Sequence, residues 1–173
     1  MSHLLSPDKT IALLNTYFSS MIDIIQKHHG IIVDFLGDGM LVFFDPLDGP
    51  IPPQVKTAVC CALEMQRQMG RFNEEDQPDA LAELRMRIGV TMGEVIVGNI
   101  GSEKRAKYGI VGSPVNMAHR IQSVAVAGEV VLSNQAFEQI SLDAVVRRSF
   151  EARLKGAPES ETLHVVESCD SCH

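Results

Sequence analysis

The sequence predicts an α+β domain in which helices pack on one mainly antiparallel sheet, and three features of the chain point there. Stretches with apolar residues at helical spacing alternate with short β-prone runs. The short runs come in neighbouring pairs around glycine-containing turns, which is the pattern of hairpins. At 173 residues with 45 % apolar content the chain can bury one real core, and no internal repeat or linker divides it.

Ser6-Pro7 opens the first helix, a capping hydroxyl followed by a proline whose missing N–H costs nothing there. Ile11, Leu14, Phe18, Met21, Ile22 and Ile25 follow on one face, and Gly30 is the expected stop. Residues 31–36 and 40–44 are apolar runs on either side of Gly37-Asp38-Gly39, so they read as a hairpin. Asp45 to Pro53 holds four prolines and reads as a loop. A second helix is expected from about Gln54 to Phe72, with Val55, Val59, Ala62, Met65 and Met69 on one face.

Asn73 to Asp79 is a polar loop. Leu84, Met86, Ile88, Val90 and Met92 then alternate as in a half-buried strand. Gly93 breaks that strand, and Glu94 to Val97 is its expected partner. After a charged loop from Ser102 to Lys107, Ser113-Pro114 repeats the helix-start signal and opens a helix to about Val124. Glu129 to Leu132 is a short strand, Ser133 caps another helix, and strands near 150–154 and 162–166 finish the domain.

Net charge is −7, with both signs interspersed, so the chain lacks the basic face of a general nucleic-acid binder. A few local cations can still hold a small anionic ligand. No run reaches the roughly 18 to 20 apolar residues that span a bilayer, and no secretory signal is visible. Of the four cysteines, Cys60 and Cys61 are adjacent and two lie near the C-terminus, a pattern unlike a disulfide framework. The default reading is a reducing cytoplasm.

Three segments carry chemistry: Phe35-Leu36-Gly37-Asp38-Gly39-Met40-Leu41-Val42-Phe43-Phe44, residues 87–101 with their spaced glycines, and Tyr108-Gly109-Ile110-Val111-Gly112-Ser113-Pro114-Val115-Asn116-Met117-Ala118-His119-Arg120. In order and spacing, over about residues 5 to 167, they resemble the catalytic domain of the class III nucleotidyl (adenylate/guanylate) cyclases. That resemblance implies a ferredoxin-like core within residues 1–167, a flexible tail at 168–173, and a head-to-tail homodimer with sites at the interface. It implies closure of a nucleoside triphosphate, ATP by family frequency and GTP as the other candidate, to a 3′,5′-cyclic monophosphate plus pyrophosphate.

A carboxylate at a tight turn between glycines suits a hard cation. Asp38 matches the family aspartate that bridges two Mg2+ or Mn2+ ions, although Asp-Gly is also an ordinary turn sequence. Asn116 and Arg120 lie four apart in a helix and share a face. By resemblance they hold the ribose and the reacting phosphate, against the plainer reading of a surface amide and an ion-paired arginine. Lys155, in Leu154-Lys155-Gly156, matches a triphosphate-contacting lysine or is simply solvated. His119 has no family role, and Tyr108 is expected to be structural.

Asp34 and Gly109 stand at the base-reading positions. Asp34 can accept from the N1–H and amino group of guanine, while Gly109 offers no side chain, so the nucleotide stays open. The family's first metal aspartate lies on a strand that aligns before Met1, and the expectation is a longer parent carrying it. Two other readings stay open: a cyclase-fold regulatory or nucleotide-binding module without turnover, and an unrelated ferredoxin-like interaction domain. Cys169-Asp170-Ser171-Cys172-His173 has the spacing of a haem-attachment motif, with incidental cysteines in a tail as the plainer account.

Overall fold

The apolar spacing between Ile11 and Ile25 becomes one face of a helix. In the computed structural model, which describes residues 6–46, 49–75 and 83–172, α1 (Pro7–Lys27) buries Tyr17, Met21, Ile24 and Ile25. The helix stops earlier than Gly30. His29 takes the left-handed turn at φ 59°, and Gly30 is needed for space, since a Cβ there would sit 2.8 Å from Ile25. β1 (Ile31–Leu36) and β2 (Gly39–Phe43) then form the expected antiparallel hairpin, closed by Gly37 and Asp38 with Gly37 at φ 66°.

α2 (Ile51–Glu75) starts before the expected Gln54 and outlasts Phe72. Pro52 and Pro53 are tolerated because N–H groups in a first helical turn have no partner within the helix. The proposed loop at 73–79 therefore begins as helix, and its residues 76–79 lie outside the described residues. Asn73 ties the helix to the returning chain, donating to the Leu84 carbonyl at 2.8 Å and accepting the Leu84 N–H at 3.0 Å.

The expected hairpin between the strands around Ile88 and Val97 is corrected. β3 (Ile88–Val90) instead pairs in parallel with β6 (Val130–Ser133). β4 (Ile96–Ser102) pairs with β5 (Arg105–Val111), absorbing the charged loop. Ser102 faces Arg105, so only Glu103 and Lys104 are left to turn, and the charged side chains ride outward on a ribbon. Between β5 and β6 lies α3 (Ser113–Val124). After β6 come α4 (Asn134–Glu138), β7 (Ala144–Ala152) and β8 (Glu161–Cys169). β8 pairs antiparallel with both β6 and β7, giving a four-stranded sheet in the order β3-β6-β8-β7. The class is α+β with mainly antiparallel pairing, but the described strands fall into three hydrogen-bonded sets rather than one sheet.

Three apolar clusters hold the layers together, and α2 lies between two of them. Val55, Val59, Ala62 and Leu63 of α2 pack on Val130, Leu132 and Val166 of the sheet. Cys61, Met65, Met69 and Phe72 meet Tyr17, Met21, Ile24 and Ile25 of α1. Ile121 of α3 packs with Val131, Leu154, Leu163 and Val165.

The C-terminal expectation is also corrected. Residues 168–172 are not a loose tail: Ser168 and Cys169 are paired with β7, and the Asp170 N–H donates to the Asp143 carbonyl at 2.8 Å. Cys172 forms a disulfide with Cys60, whose Cα lies 5.0 Å away, so two of the four cysteines do form a bridge. Strand pairing carries the chain back over α2, which the sequence motif alone could not indicate. His173 lies outside the described residues. No described helix is long and apolar enough to cross a membrane.

Candidate functional site

Asp38 projects from the turn between β1 and β2, exposed, with Gly37 and Gly39 on either side. A Cβ added at Gly37 would meet nothing within 4 Å, so there is room beside the carboxylate for a hydrated cation. Among the described residues no ion pair engages Asp38. Its charge reaches Tyr17 on α1: burial first, and then the Asp38 carboxylate, push the Tyr17 phenol above its ordinary range. An exposed oxygen donor with open space around it fits a hard divalent ion such as Mg2+ or Mn2+.

Helix α3 is set by its contact with β3. A Cβ at Gly89 would lie 2.6 Å from both the Ala118 carbonyl oxygen and the Gln122 backbone nitrogen, so strand and helix touch backbone to backbone. Residues two along a helix point about 200° apart, so Asn116 and Arg120 face away from that contact. Asn116 is exposed in the first turn and Arg120 is half-buried one turn later.

What half-buries Arg120 is the β7–β8 connection. Leu154, 2 % exposed, sits in the same cluster as Ile121, the neighbour of Arg120. That anchor brings the Lys155-Gly156 turn against the guanidinium. Gly156 has φ 80°, and a Cβ there would lie 3.2 Å from an Arg120 Nη and 3.7 Å from its Cζ. The structure thus brings Arg120 and the Lys155-Gly156 turn together, with Lys155 exposed beside them. His119 is exposed, and its carbonyl accepts from the Ser123 hydroxyl at 2.8 Å.

Asp34, on β1, is not free. Lys107 on β5 pairs with it at 2.6 Å, and the Phe35 N–H donates to its other oxygen at 2.9 Å. The Lys107 hydrogen bond above all holds the Asp34 carboxyl below its ordinary range. Gly109 lies two residues beyond Lys107 and so on the same face of β5, opposite Gly98 of β4. Lys107 is the residue that sequence reasoning missed, since it read as part of a loop. The signal was its two-residue offset from Gly109, which only matters once 105–111 is a strand. The hairpin that carries Asp38 packs Ile32, Met40 and Val42 on the α1 cluster, while Arg120 adjoins Ile121 of the α3 cluster, so the two groups are held by different parts of the core.

A family model described as the adenylate and guanylate cyclase catalytic domain matches residues 1–168. The chain belongs to that family. Among curated relatives of this cyclase domain, adenylate cyclase 1 of Rhizobium meliloti (strain 1021) is 29 % identical over 121 residues, 69 % of this chain and 18 % of that protein. An uncharacterised protein of Mycobacterium tuberculosis is 31 % identical over 151 residues, 86 % of this chain and 26 % of that protein. The chain thus spans about a fifth to a quarter of the length of these relatives. Among solved structures, the guanylyl cyclase Cya2 superposes with a TM-score of 0.89 at 36 % identity, covering 96 % of this chain and 84 % of that one. The adenylyl cyclase CyaB from P. aeruginosa gives 0.90 at 26 %, covering 99 % and 89 %.

Proposed function

We propose that this domain is a nucleotidyl cyclase that closes a purine nucleoside triphosphate to its 3′,5′-cyclic monophosphate. The observation that carries the reading is the cationic corner where Arg120 meets the Lys155-Gly156 turn, one helical turn from Asn116, in a chain of net charge −7. The ribose 3′ oxygen attacks the α-phosphorus, the bond to the β-phosphate oxygen breaks, pyrophosphate leaves, and the hydroxyl proton passes to solvent. The planar guanidinium of Arg120 suits the phosphate oxygens on which charge accumulates. Asn116 orients the sugar, and Lys155 draws the triphosphate in. Divalent metal, when bound at Asp38, supplies charge neutralisation at the triphosphate.

The reading includes a homodimer with the Asp38 of one copy beside the Asn116 and Arg120 of the other. Two features support it. Each half is anchored on its own cluster, and the β4–β5 ribbon carries Ile96 and Val111 opposite each other at 76 % and 53 % exposure. ATP is the first substrate to test and GTP the second. The Asp34–Lys107 pair sets an acceptor beside a donor, a pattern that complements the hydrogen-bonding edge of either purine.

Complementation tests this. Asp38→Asn and Arg120→Ala chains, each inactive alone, should regain cyclisation when mixed, because the mixed dimer holds one intact site. Arg120→Ala and Asn116→Ala should each lower kcat by about 10²–10³-fold with the fold retained, the scale of losing a charge-stabilising donor. Mixtures as inactive as their components count against the composite site.

A second reading, a nucleotide-binding module without turnover, is favoured by one observation: Asp34 is already ion-paired with Lys107. Calorimetry with a non-hydrolysable triphosphate beside the activity assay separates the two. Binding without cyclic product from any nucleoside triphosphate marks the module.

A further inference from the structure

We propose that Cys60, Cys169 and Cys172 form a three-thiolate site for a thiophilic divalent cation, Zn2+ being the first probe, open when the Cys60–Cys172 disulfide is reduced. The three sulfurs all lie within 4.8 Å of one another. Thiolates around tetrahedral Zn2+ at about 2.3 Å stand roughly 3.8 Å apart, so small side-chain rotations close the site without moving the backbone.

The backbone that holds them is built. Cys60 sits within α2, Cys169 ends β8, and both are buried, at 8 % and 7 % exposure. The turn that follows is hooked in place by two backbone bonds: Asp170 N–H to the Asp143 carbonyl at 2.8 Å, and Cys172 N–H to the Cys169 carbonyl at 3.3 Å. That turn brings the Cys-x-x-Cys pair round onto Cys60. Cys61, although adjacent in sequence, lies about 100° around α2 and belongs to the α1 cluster, where its thiol contacts the Met65 sulfur at 3.9 Å. Three of the four cysteines therefore converge and the fourth is turned away.

Sulfur ligands select against the hard cation suited to Asp38, since Mg2+ takes oxygen while Zn2+ takes thiolate. Among the described residues the site supplies three ligands, leaving the fourth tetrahedral position to water. The disulfide and the metal are alternatives. A dithiol reductant gives two electrons and two protons to the Cys60–Cys172 bond and is itself oxidised to a disulfide. The cation then displaces one proton from each of the three thiols.

The full chain, reduced with a phosphine and desalted without oxygen, is titrated with Zn2+ and, separately, with Co2+. The expected result is one Zn2+ per chain, retained through gel filtration, and a Co2+ spectrum with near-ultraviolet charge-transfer intensity of three thiolates. Cys169→Ser should lose the stoichiometric ion while keeping the Cys60–Cys172 disulfide, and Cys61→Ala should keep the ion. The oxidised chain should bind none. Substoichiometric Zn2+ on the reduced chain, or full binding by Cys169→Ser, overturns the site. Where Cys169→Ser fails to fold by circular dichroism, the Co2+ spectrum of the parent decides alone, and two or fewer thiolates overturn it.

Discussion

Replacing Gly89 by alanine tests the contact on which helix α3 rests. The new methyl would arrive 2.6 Å from the Ala118 carbonyl oxygen and the Gln122 nitrogen, and 3.2 Å from the Gln122 Cα. Comfortable separations are about 3.5–4.0 Å, so strand and helix must part by about 1 Å. The obstructing atoms are helix backbone and cannot swing aside as a side chain would. Overpacking of this kind costs about 1–3 kcal/mol. For a chain of this size that lowers Tm by roughly 2–4 °C per kcal/mol. Gly70→Ala is the matched control: it lies on an exposed face of α2, and its Cβ would meet nothing within 4 Å. There the same substitution should stabilise by about 0.5–1 kcal/mol through backbone entropy and helix propensity. Thermal melts followed by circular dichroism read both, with shifts of opposite sign. In the assay, Gly89→Ala should lower turnover as well, because moving Asn116 and Arg120 by about 1 Å can cost up to roughly 100-fold. A Gly89→Ala chain that melts at or above the parent, with Gly70→Ala behaving as expected, refutes the backbone-on-backbone contact.

Two titrations follow from the charged and buried groups. Lys107 holds the Asp34 carboxyl below its unfolded value, so the stabilisation exists above pH of about 4 and is lost as pH falls through the folded value. In Lys107→Met the Asp34 side-chain carbonyl signal should titrate at higher pH; an unchanged midpoint means the pair does not form in solution. His164 is 8 % exposed, donates from Nε2 to Asn134 Oδ1 at 2.8 Å and accepts the Ser149 hydroxyl at Nδ1, also at 2.8 Å. Burial holds this imidazole below its ordinary range, with the Glu138 charge opposing. The unfolded chain therefore takes up a proton near pH 6.5 that the native ring refuses, and stability falls as pH drops through that value. The urea midpoint should decline between pH 7.5 and 5.5 and decline less in His164→Gln; equal slopes would exclude His164 as the cause.

The helices and the first hairpin were legible because their signals are local: the spacing of Ile11 to Ile25, the glycines around Asp38, the Ser-Pro helix starts. The partner of β3 was not. Residues 84–97 alternate as a hairpin should, but Gly89 has no side chain between strand and helix, and that lets α3 press onto β3 while β6 takes its edge in parallel. Strand pairing across forty residues leaves no local trace. The candidate site residues on helix and turn, Asp38, Asn116 and Arg120, stood out because the segments around them resemble the family's motifs. Lys107 did not, because the run Glu103-Lys104-Arg105-Ala106-Lys107 looks like solvated loop until Gly101 allows the ribbon to continue. The C-terminal cysteines were misread for a related reason, since what joins them to Cys60 is the run of β8 across α2.

Arg120 and Lys155 each stand next to a buried anchor, Ile121 and Leu154, and the anchors decide which segments meet. Ile121 and Leu154 meet in one cluster, and that contact brings the Lys155-Gly156 turn against Arg120. Gly156 completes the arrangement by removing the one Cβ that would stand 3.2 Å from the Arg120 fork. The hairpin that carries Asp38 packs on the other cluster through Met40 and Val42. The Arg120 and Asp38 segments are held by different clusters. On the cyclase reading, what joins them is the docking of two chains, so contact between copies becomes the natural point at which to control turnover.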